Sequence, residues 1–256
     1  MSNNYMKAVV LCAGKGERLR PLTENIPKPM IPINNKPVLE YLIFLCKKHR
    51  INEIAINTSY LPEKIKEYFG SGEKFGIKIH YSFEPELLGT AGALNNFRNL
   101  LNDTFFVIYG DNITNLNLEE MYKFHKSKKG FGTLYLYKEE LIDNKTTPGC
   151  VILDENAKIT EIIERPTEEE KKRIEKISQD LKYMNSGIYV LEPAILNFIP
   201  KGFSDFSKNI FPAALKKGNL YGYKEDCYIK EVGQLIRYEK AKADIESGAV
   251  KLDLLL

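Results

Sequence analysis

Runs of apolar residues alternate along the chain between two kinds of periodicity. Residues 8–11 and 105–109 are short continuous apolar runs, which are typical of strands buried on both faces of a parallel sheet. Residues 37–46 begin with proline and repeat apolar positions every three or four residues, which predicts a helix. The same criteria predict further strands at 53–57, 76–83, 132–137, 150–153, 159–163, 186–191, 220–223 and 228–232, and further helices at 62–69, from about 90 to 101, 117–125, 166–182, 193–198, 206–217 and 235–245.

This order of strands and helices predicts the fold class. Strands that alternate with helices form a mostly parallel sheet covered on both faces, so we expect an α/β, Rossmann-like three-layer sandwich with a mixed sheet. The 256 residues carry no internal repeat and no linker, which indicates a single domain over 1–256. Ligands of such a sheet bind at the carboxyl ends of its strands. The loop after 8–11 and the Gly-Asp pair after 105–109 both lie at such ends.

The loop after the first predicted strand has the residue types of a polyphosphate site. Gly14 and Gly16 let the backbone approach a ligand closely, and the cations Arg18, Arg20 and Lys28 follow. Two other phosphate-binding loops fit less well. The G-x-x-x-x-G-K-[ST] motif is absent, and leucine replaces the third glycine of the dinucleotide fingerprint. A surface loop with solvated charges is the remaining alternative for this segment taken alone.

The wider string around this loop is more specific. Residues 11–23 read L-C-A-G-K-G-E-R-L-R-P-L-T and residues 27–30 read P-K-P-M, which closely resembles the signature of the sugar-1-phosphate nucleotidylyltransferases, G-x-G-x-R-L-x-P-L-T…P-K-P. The resemblance implies the nucleotide-diphospho-sugar transferase fold and a reaction of an NTP with a sugar 1-phosphate that yields an NDP-sugar and pyrophosphate. It places Arg18 on the departing pyrophosphate and Lys28 near the α-phosphate, both as catalytic residues. The nucleotide-binding residues that it implies in this loop are Leu11, Ala13, Gly14, Gly16, Glu17, Arg18 and Lys28.

Two further segments complete the nucleotide site by the same resemblance. A carboxylate after a buried strand can hold Mg²⁺ or cap a turn, and the matching Asp of the family binds the metal, so the resemblance implies Mg²⁺ at a catalytic Asp111. Residues 84–94, E-P-E-L-L-G-T-A-G-A-L, resemble the nucleobase and ribose segment of the guanylyltransferases. Uridylyltransferases are similar there, and an ordinary helix start would also fit. The residues implied in nucleotide binding here are Glu86, Gly89, Thr90, Gly92 and Gly110.

The second half of the chain resembles the family's sugar-phosphate site. Gly149, the pair Glu164-Arg165 and Asn185 correspond to the family's Gly, Glu-Lys and Asn. The resemblance implies that Glu164 and Asn185 bind sugar hydroxyls and that Arg165 binds the phosphate. Arg165 stands where the family usually has Lys. Glu231 stands where the family has Asp as a second metal ligand, and its extra methylene either shifts the metal or places a water between them.

The resemblance also implies an organisation and a substrate pair. We expect a nucleotide half at about 1–137, a sugar-phosphate half at about 138–248, and no β-helix domain after the core. The expected substrates are GTP and mannose 1-phosphate. The alternatives are a heptose-1-phosphate guanylyltransferase, a uridylyl- or thymidylyltransferase acting on glucose 1-phosphate, and a non-catalytic regulator that binds a nucleotide sugar. Arg165 and Glu231 motivate the last alternative, because both depart from the family pattern.

Composition mainly argues against several classes of partner and site. The net charge of +3 is small and no block of Lys and Arg is interleaved with aromatics, so nucleic acid is not an expected partner. The four cysteines are far apart, which argues against a metal cluster or a disulfide framework and indicates a cytoplasmic setting. No apolar stretch is long enough to span a membrane, and the N-terminus lacks a signal-peptide core. We expect a homo-oligomer that binds small-molecule substrates.

Overall fold

The structure, a computed structural model, describes residues 6–138, 150–164 and 166–252. Its strands are β1 (Met6–Leu11), β2 (Pro32–Ile33), β3 (Lys36–Pro37), β4 (Ile51–Thr58), β5 (Lys78–Phe83), β6 (Phe105–Tyr109), β7 (Asn112–Thr114), β8 (Gly132–Tyr137), β9 (Cys150–Leu153), β10 (Ile159–Ile163), β11 (Lys182–Leu191), β12 (Leu220–Tyr223) and β13 (Ile229–Glu231). Its helices are α1 (Val38–Lys48), α2 (Pro62–Phe69), α3 (Gly89–Gly92), α4 (Leu118–Lys128), α5 (Glu168–Glu175), α6 (Phe211–Leu215) and α7 (Leu235–Glu246).

Nine strands form one mixed sheet in the described part of the chain. Seven follow the order β10-β9-β11-β6-β1-β4-β5, while β8 pairs with β11 and β12 pairs with β8. The neighbours β6, β1, β4 and β5 run parallel, and β11 runs antiparallel to β6. The carboxyl ends of β1, β4 and β6 therefore meet at one edge of the sheet, which is where a ligand of such a fold binds.

Apolar cores cover both faces of the sheet. Along β1, Ala8 and Val10 belong to the core that includes Leu42 of α1, whereas Val9 belongs to the core that includes Phe211 of α6. Successive side chains of a strand point to opposite faces, and all five of these residues are at most 1% exposed. The predicted three-layer α/β sandwich is confirmed.

Three of the predicted helices are less regular than expected, and glycine or proline interrupts two of them. α3 is a single turn, because Gly89 and Gly92 are weak helix formers. Pro212 in the first turn of α6 lacks a backbone donor, and the chain before it forms a π-helical turn. The predicted helix 90–101 is thereby divided into α3 and the 3₁₀ turn Ala93–Phe97, and 206–217 into the π-helical turn Phe206–Ile210 and α6. The predicted helix 166–182, which has proline only at its start, is also divided, into α5 and the 3₁₀ turn Gln179–Leu181.

A two-stranded ribbon lies beside the main sheet. β7 pairs antiparallel with β13, and Glu231 lies opposite Asn112 in this register. The Val232 N–H extends the ribbon by donating to Asp111 O at 2.8 Å. The sequence predicts a strand at 228–232 but none after Asp111. This pairing brings Glu231 next to Asp111.

Candidate active site

The glycine loop folds back on itself just after β1. Gly16 has a φ of +69°, in the left-handed region that favours glycine. A Cβ at this position would lie 3.0 Å from Lys28 Cβ and 3.1 Å from Thr23 Cγ2, so the missing side chain also provides space. The Thr23 hydroxyl donates to Gly16 O at 2.8 Å. The loop is thereby closed, with Lys28 held against it.

A cavity of about 310 Å³ opens where the predicted nucleotide-binding segments meet. We call it the nucleotide-side cavity. The residues lining it that the sequence predicts for nucleotide binding are Leu11, Ala13, Gly14, Lys28, Gly89, Thr90 and Gly110, and the predicted metal ligand Asp111 lines it too. Gly16, Glu17, Glu86 and Gly92 are not among its lining residues, and Arg18 lines a neighbouring cavity instead. Three distant segments are thus brought together around one space.

A buried carboxylate joins the walls of this cavity. Glu84 is 1% exposed and accepts hydrogen bonds from Asn57 Nδ2 at 2.8 Å and from the Leu88 N–H at 3.0 Å. Asn57 Oδ1 accepts from the Cys12 N–H at 2.8 Å. This series of hydrogen bonds fixes the ends of β1 and β4 to the segment before α3. Glu84 itself lines the cavity, whereas the predicted Glu86 is exposed.

A second loop, just before the π-helical turn, closes on α3. The N–H groups of Ala91 and Gly92 donate to Ser204 O at 2.9 and 3.0 Å. Asp205 Oδ1 accepts from the Thr90 N–H at 3.1 Å and from the Thr90 hydroxyl at 3.2 Å. The first turn of a helix has N–H groups without partners inside the helix, and this loop supplies acceptors for them.

The glycines of α3 make this close approach possible. Gly89 has a φ of +76°, and a Cβ on it would lie 2.5 Å from Ser204 O. A Cβ on Gly92 would overlap the backbone of the same loop. The approach brings Phe203 to the nucleotide-side cavity, where its side chain stays 65% exposed. Both Phe203 and its neighbour Asp205 line the cavity. The sequence carries no signal for either, since neither belongs to a periodic or Gly-rich segment.

The carboxylates of Asp111 and Glu231 lie together among three cationic side chains. Lys28 Nζ contacts Asp111 Oδ2 and lies 3.5 Å from Glu231 Oε1. Arg18 Nη2 lies 3.9 Å from Glu231 Oε1, and Arg237 Nη1 lies 3.3 Å from Glu231 Oε2. Burial, followed by the nearby Asp111 carboxylate, raises the pKa of Glu231, and the surrounding cations oppose this shift. We call these five residues the carboxylate centre.

The carboxylate centre fits a divalent cation of the magnesium type. Asp111 Oδ1 is buried and accepts no hydrogen bond. A buried oxygen without a partner is costly, and a carboxylate oxygen is a preferred ligand of Mg²⁺. Within the described ranges, no group of three or more His, Cys, Asp or Glu residues is arranged to hold a metal ion. Substrate phosphates and water would therefore supply most of the ligands, as is usual for Mg²⁺.

A second cavity, of about 410 Å³, adjoins the first, and we call it the sugar-side cavity. The predicted residues that line it are Arg18, Asp111, Glu164, Asn185 and Glu231. Tyr109 and Asp111 line both cavities, so the two spaces meet at the carboxyl end of β6. Gly149 and Arg165, also predicted for the sugar phosphate, lie outside the described residues.

The chain matches the sequence model of a known family, described as nucleotidyl transferase, over residues 7–248. It belongs to the nucleotidyl transferase family. The resemblance that the glycine loop indicated is confirmed.

Named relatives of this nucleotidyl transferase are sugar-1-phosphate enzymes with different bases. It is 36% identical to a UTP–glucose-1-phosphate uridylyltransferase of Synechocystis sp., over 96% of this chain and 65% of that protein. It is 32% identical to a mannose-1-phosphate guanylyltransferase of Mycobacterium tuberculosis, over 97% of this chain and 67% of that protein. A mannose-1-phosphate guanylyltransferase catalytic subunit beta of Dictyostelium discoideum is 35% identical, over 90% of this chain and 61% of that protein. The chain thus spans about two thirds of the length of these relatives.

Solved structures share the fold of this nucleotidyl transferase. A structure assigned as a glucose-1-phosphate thymidylyltransferase of Bacillus anthracis superposes with a TM-score of 0.78 and 25% identity, covering 93% of this chain and 94% of that one. HddC of Yersinia pseudotuberculosis superposes with a TM-score of 0.77 and 23% identity, covering 94% and 99%, which shows the fold alone. In the part of the chain described, no helix is long and apolar enough to cross a membrane. The cytoplasmic setting and the homo-oligomer stay predictions.

Proposed function

We propose that this nucleotidyl transferase joins an NTP to a sugar 1-phosphate, forming an NDP-sugar and releasing pyrophosphate. The observation that carries the proposal is the junction of the two cavities at Asp111 and Tyr109. An NTP in the nucleotide-side cavity and a sugar phosphate in the sugar-side cavity would meet beside the carboxylate centre. The predicted halves, about 1–137 for the nucleotide and about 138–248 for the sugar phosphate, are part of this proposal.

The reaction needs alignment and charge compensation more than a protein nucleophile. An oxygen of the sugar phosphate attacks the α-phosphorus, the bond to the β-phosphate oxygen breaks, and pyrophosphate leaves with the electron pair. Both reactants are polyanions, so the chain must hold them in line and offset their repulsion. Lys28 lines the nucleotide-side cavity and neutralises charge at the α-phosphate. Arg18 is 66% exposed at the rim of the sugar-side cavity and neutralises the departing pyrophosphate.

Asp111 would hold Mg²⁺ through its unpartnered Oδ1, with Glu231 close by. When bound, the ion withdraws charge from phosphate oxygens in the transition state. Asn185 and Glu164 line the far side of the sugar-side cavity, where they can bind sugar hydroxyls.

Glu84 favours guanine as the base. Each Glu84 oxygen accepts one hydrogen bond, from Asn57 or from Leu88, and has a second lone pair left to accept another. The guanine edge carries two adjacent donors, its ring N–H and its amino group. Uracil presents one N–H between two carbonyl groups, which is a poorer match. Glu84 is buried and lines the nucleotide-side cavity near Gly89 and Thr90, the segment that resembles the guanylyltransferases. We therefore propose GTP as the nucleotide, and mannose 1-phosphate as its partner because guanylyltransferases with that substrate in their name are 32% and 35% identical to this chain.

One finding favours a second candidate, a uridylyltransferase acting on glucose 1-phosphate. A relative of that name is 36% identical over 96% of this chain. The segment at 84–94 is similar in guanylyltransferases and uridylyltransferases. A measured preference for GTP or UTP therefore distinguishes the two candidates better than this segment does.

A substrate panel tests the proposal. GTP, UTP and dTTP are each combined with mannose, glucose and heptose 1-phosphates, and pyrophosphate release is measured with Mg²⁺ present. We expect the highest kcat/KM for GTP with mannose 1-phosphate. A maximum for UTP with glucose 1-phosphate would select the second candidate, and a maximum for heptose 1-phosphate would change the sugar. Nucleotide-sugar binding without pyrophosphate release from any pair would indicate a non-catalytic regulator.

One variant tests the role of Glu84 in this panel. Glu84→Gln replaces an acceptor oxygen by a donor, so we expect the preference for GTP over UTP to fall by about tenfold. Glu63→Gln in α2 is the matched control, because Glu63 is exposed and lines neither cavity. Equal preferences in the two variants would remove Glu84 from base recognition.

A further inference from the structure

Arg237 contacts the carboxylate centre from a helix for which the sequence predicts no site residue. It lies in the first turn of α7 and places Nη1 3.3 Å from Glu231 Oε2. The two side chains are 21% and 29% exposed, so water screens this ion pair only in part. The contact therefore has the shielding that a surface ion pair lacks.

Gly233 determines how the Glu231 side chain reaches the centre. A Cβ on Gly233 would overlap Glu231 Oε1 and lie 2.7 Å from Lys28 Nζ. The carboxylate of Glu231 thus folds back over the bare backbone of Gly233, toward Lys28. This bent conformation of the Glu231 side chain accommodates the extra methylene that Glu has compared with Asp.

Both oxygens of Glu231 face cations as a result. Oε1 lies 3.5 Å from Lys28 Nζ and 3.9 Å from Arg18 Nη2, and Oε2 faces Arg237. Asp111 differs, because Oδ2 contacts Lys28 while Oδ1 is buried without a hydrogen-bond partner. The two carboxylates of the centre are therefore not equivalent toward a metal ion.

We propose that Arg237 is a positioning residue, which binds Glu231 and holds its carboxylate among the cations, so that Asp111 Oδ1 is the direct protein ligand of the metal. This inference rests on the nucleotidyl transfer proposed above. Partners that orient the groups around a metal typically change its affinity or the activity by about 10–100-fold when they are removed. Arg237 acts here in the opposite sense, because it withholds a carboxylate from the metal.

The test measures Mn²⁺ binding to the protein without substrates, through the EPR signal of free Mn²⁺, at millimolar concentrations of protein and Mn²⁺ that detect a weak site to which the protein supplies few ligands. Asp111→Asn should weaken binding about tenfold or more, whereas Glu231→Gln should change it by less than about threefold. Arg237→Gln should tighten binding about tenfold, because the released Glu231 can reach the metal. In the double variant of Arg237→Gln and Glu231→Gln the gain should disappear, which separates an effect through Glu231 from a general change of charge.

Three outcomes would overturn the proposal. The first is that Glu231→Gln loses as much affinity for Mn²⁺ as Asp111→Asn does. The second is that Arg237→Gln raises the affinity equally whether or not Glu231 is present. The third is that neither the wild type nor Arg237→Gln binds Mn²⁺. Lys240→Gln, on the same helix with its ion pair to Asp244 at 2.7 Å, should bind Mn²⁺ like the wild type. In turnover, Arg237→Gln should lower kcat with little change in the KM for either substrate. Arg237→Lys should keep a higher kcat than Arg237→Gln. If Mn²⁺ binds as expected but no NTP yields pyrophosphate, the proposed function fails while the position of Glu231 stands.

Discussion

Removing the Lys28 ammonium tests the carboxylate centre most directly. The Lys28 and Asp111 side chains are only 13% and 14% exposed, and Lys28 Nζ contacts Asp111 Oδ2. Breaking a buried ion pair by removing one partner costs about 3–5 kcal/mol, because the other charge is left buried and unpaired. Glu231 keeps Arg237 at 3.3 Å, so Asp111 is the carboxylate that loses its contact. For Lys28→Met we therefore expect a loss at the lower end, about 3 kcal/mol of unfolding free energy.

Equilibrium unfolding in urea, with EDTA present to remove divalent ions, measures this loss. Lys28→Met should also lower kcat about 100–1,000-fold, as for the loss of one group that stabilises charge in a transition state. Lys123→Met is the matched control, since Lys123 lies on the surface of α4 and pairs with Glu119 and Glu120. Its unfolding free energy and turnover should match those of the wild type. A Lys28→Met protein as stable as this control would refute the buried ion pair, and one with near-normal kcat would refute the role of Lys28.

Three further predictions concern separate parts of the molecule. Arg18→Ala should abolish pyrophosphate release and leave the unfolding transition in place, because Arg18 is 66% exposed; near-normal release would refute its role. Phe203→Ala should raise the KM for the nucleotide about fivefold or more with little change in kcat, since stacking on a base contributes about 1–3 kcal/mol. Phe83→Ala, 53% exposed and away from the cavity lining, is its control, and equal KM values would contradict the stacking. Burial lowers the pKa of His125 in the folded state, so the unfolded chain binds its proton more readily and stability should fall as the pH drops below about 6.5. Urea unfolding of His125→Gln should show a smaller fall, and identical pH dependences would refute this origin.

Local patterns predicted most of the architecture and the position of the nucleotide loop. A buried strand can be recognised directly in the sequence, because a strand covered on both faces must be apolar at nearly every position, as at 105–109. The glycine loop can also be recognised in the sequence, since Gly16 adopts a left-handed conformation and a Cβ there would lie only 3.0 Å from Lys28 Cβ. Such requirements concern a residue and its neighbours in the chain or loop. The family membership inferred from 11–30 rests on them.

The residues that complete the nucleotide-side cavity could not be predicted from local sequence patterns. Phe203 is mostly exposed and Asp205 lies in a loop, so neither has a period or a local constraint that would distinguish it. They line the cavity because Ser204 O accepts the N–H groups of Ala91 and Gly92 in α3, which holds this loop beside the cavity. Glu84 and Glu86 are both acidic and two residues apart, and only the fold decides that Glu84 points inward.

The sequence by itself determined the α/β sheet, the Gly-rich cationic loop at the end of its first strand, and the nucleotidyl transferase family of which that loop is typical. Only the tertiary structure decided what surrounds Lys28. Its contact with Glu231 joins residues 203 positions apart, and it depends on the pairing of β7 with β13 and on the backbone of Gly233. The physical reason is that periodicity records which side chains are buried, whereas a pairing between distant strands depends on backbone hydrogen bonds that every residue type can make.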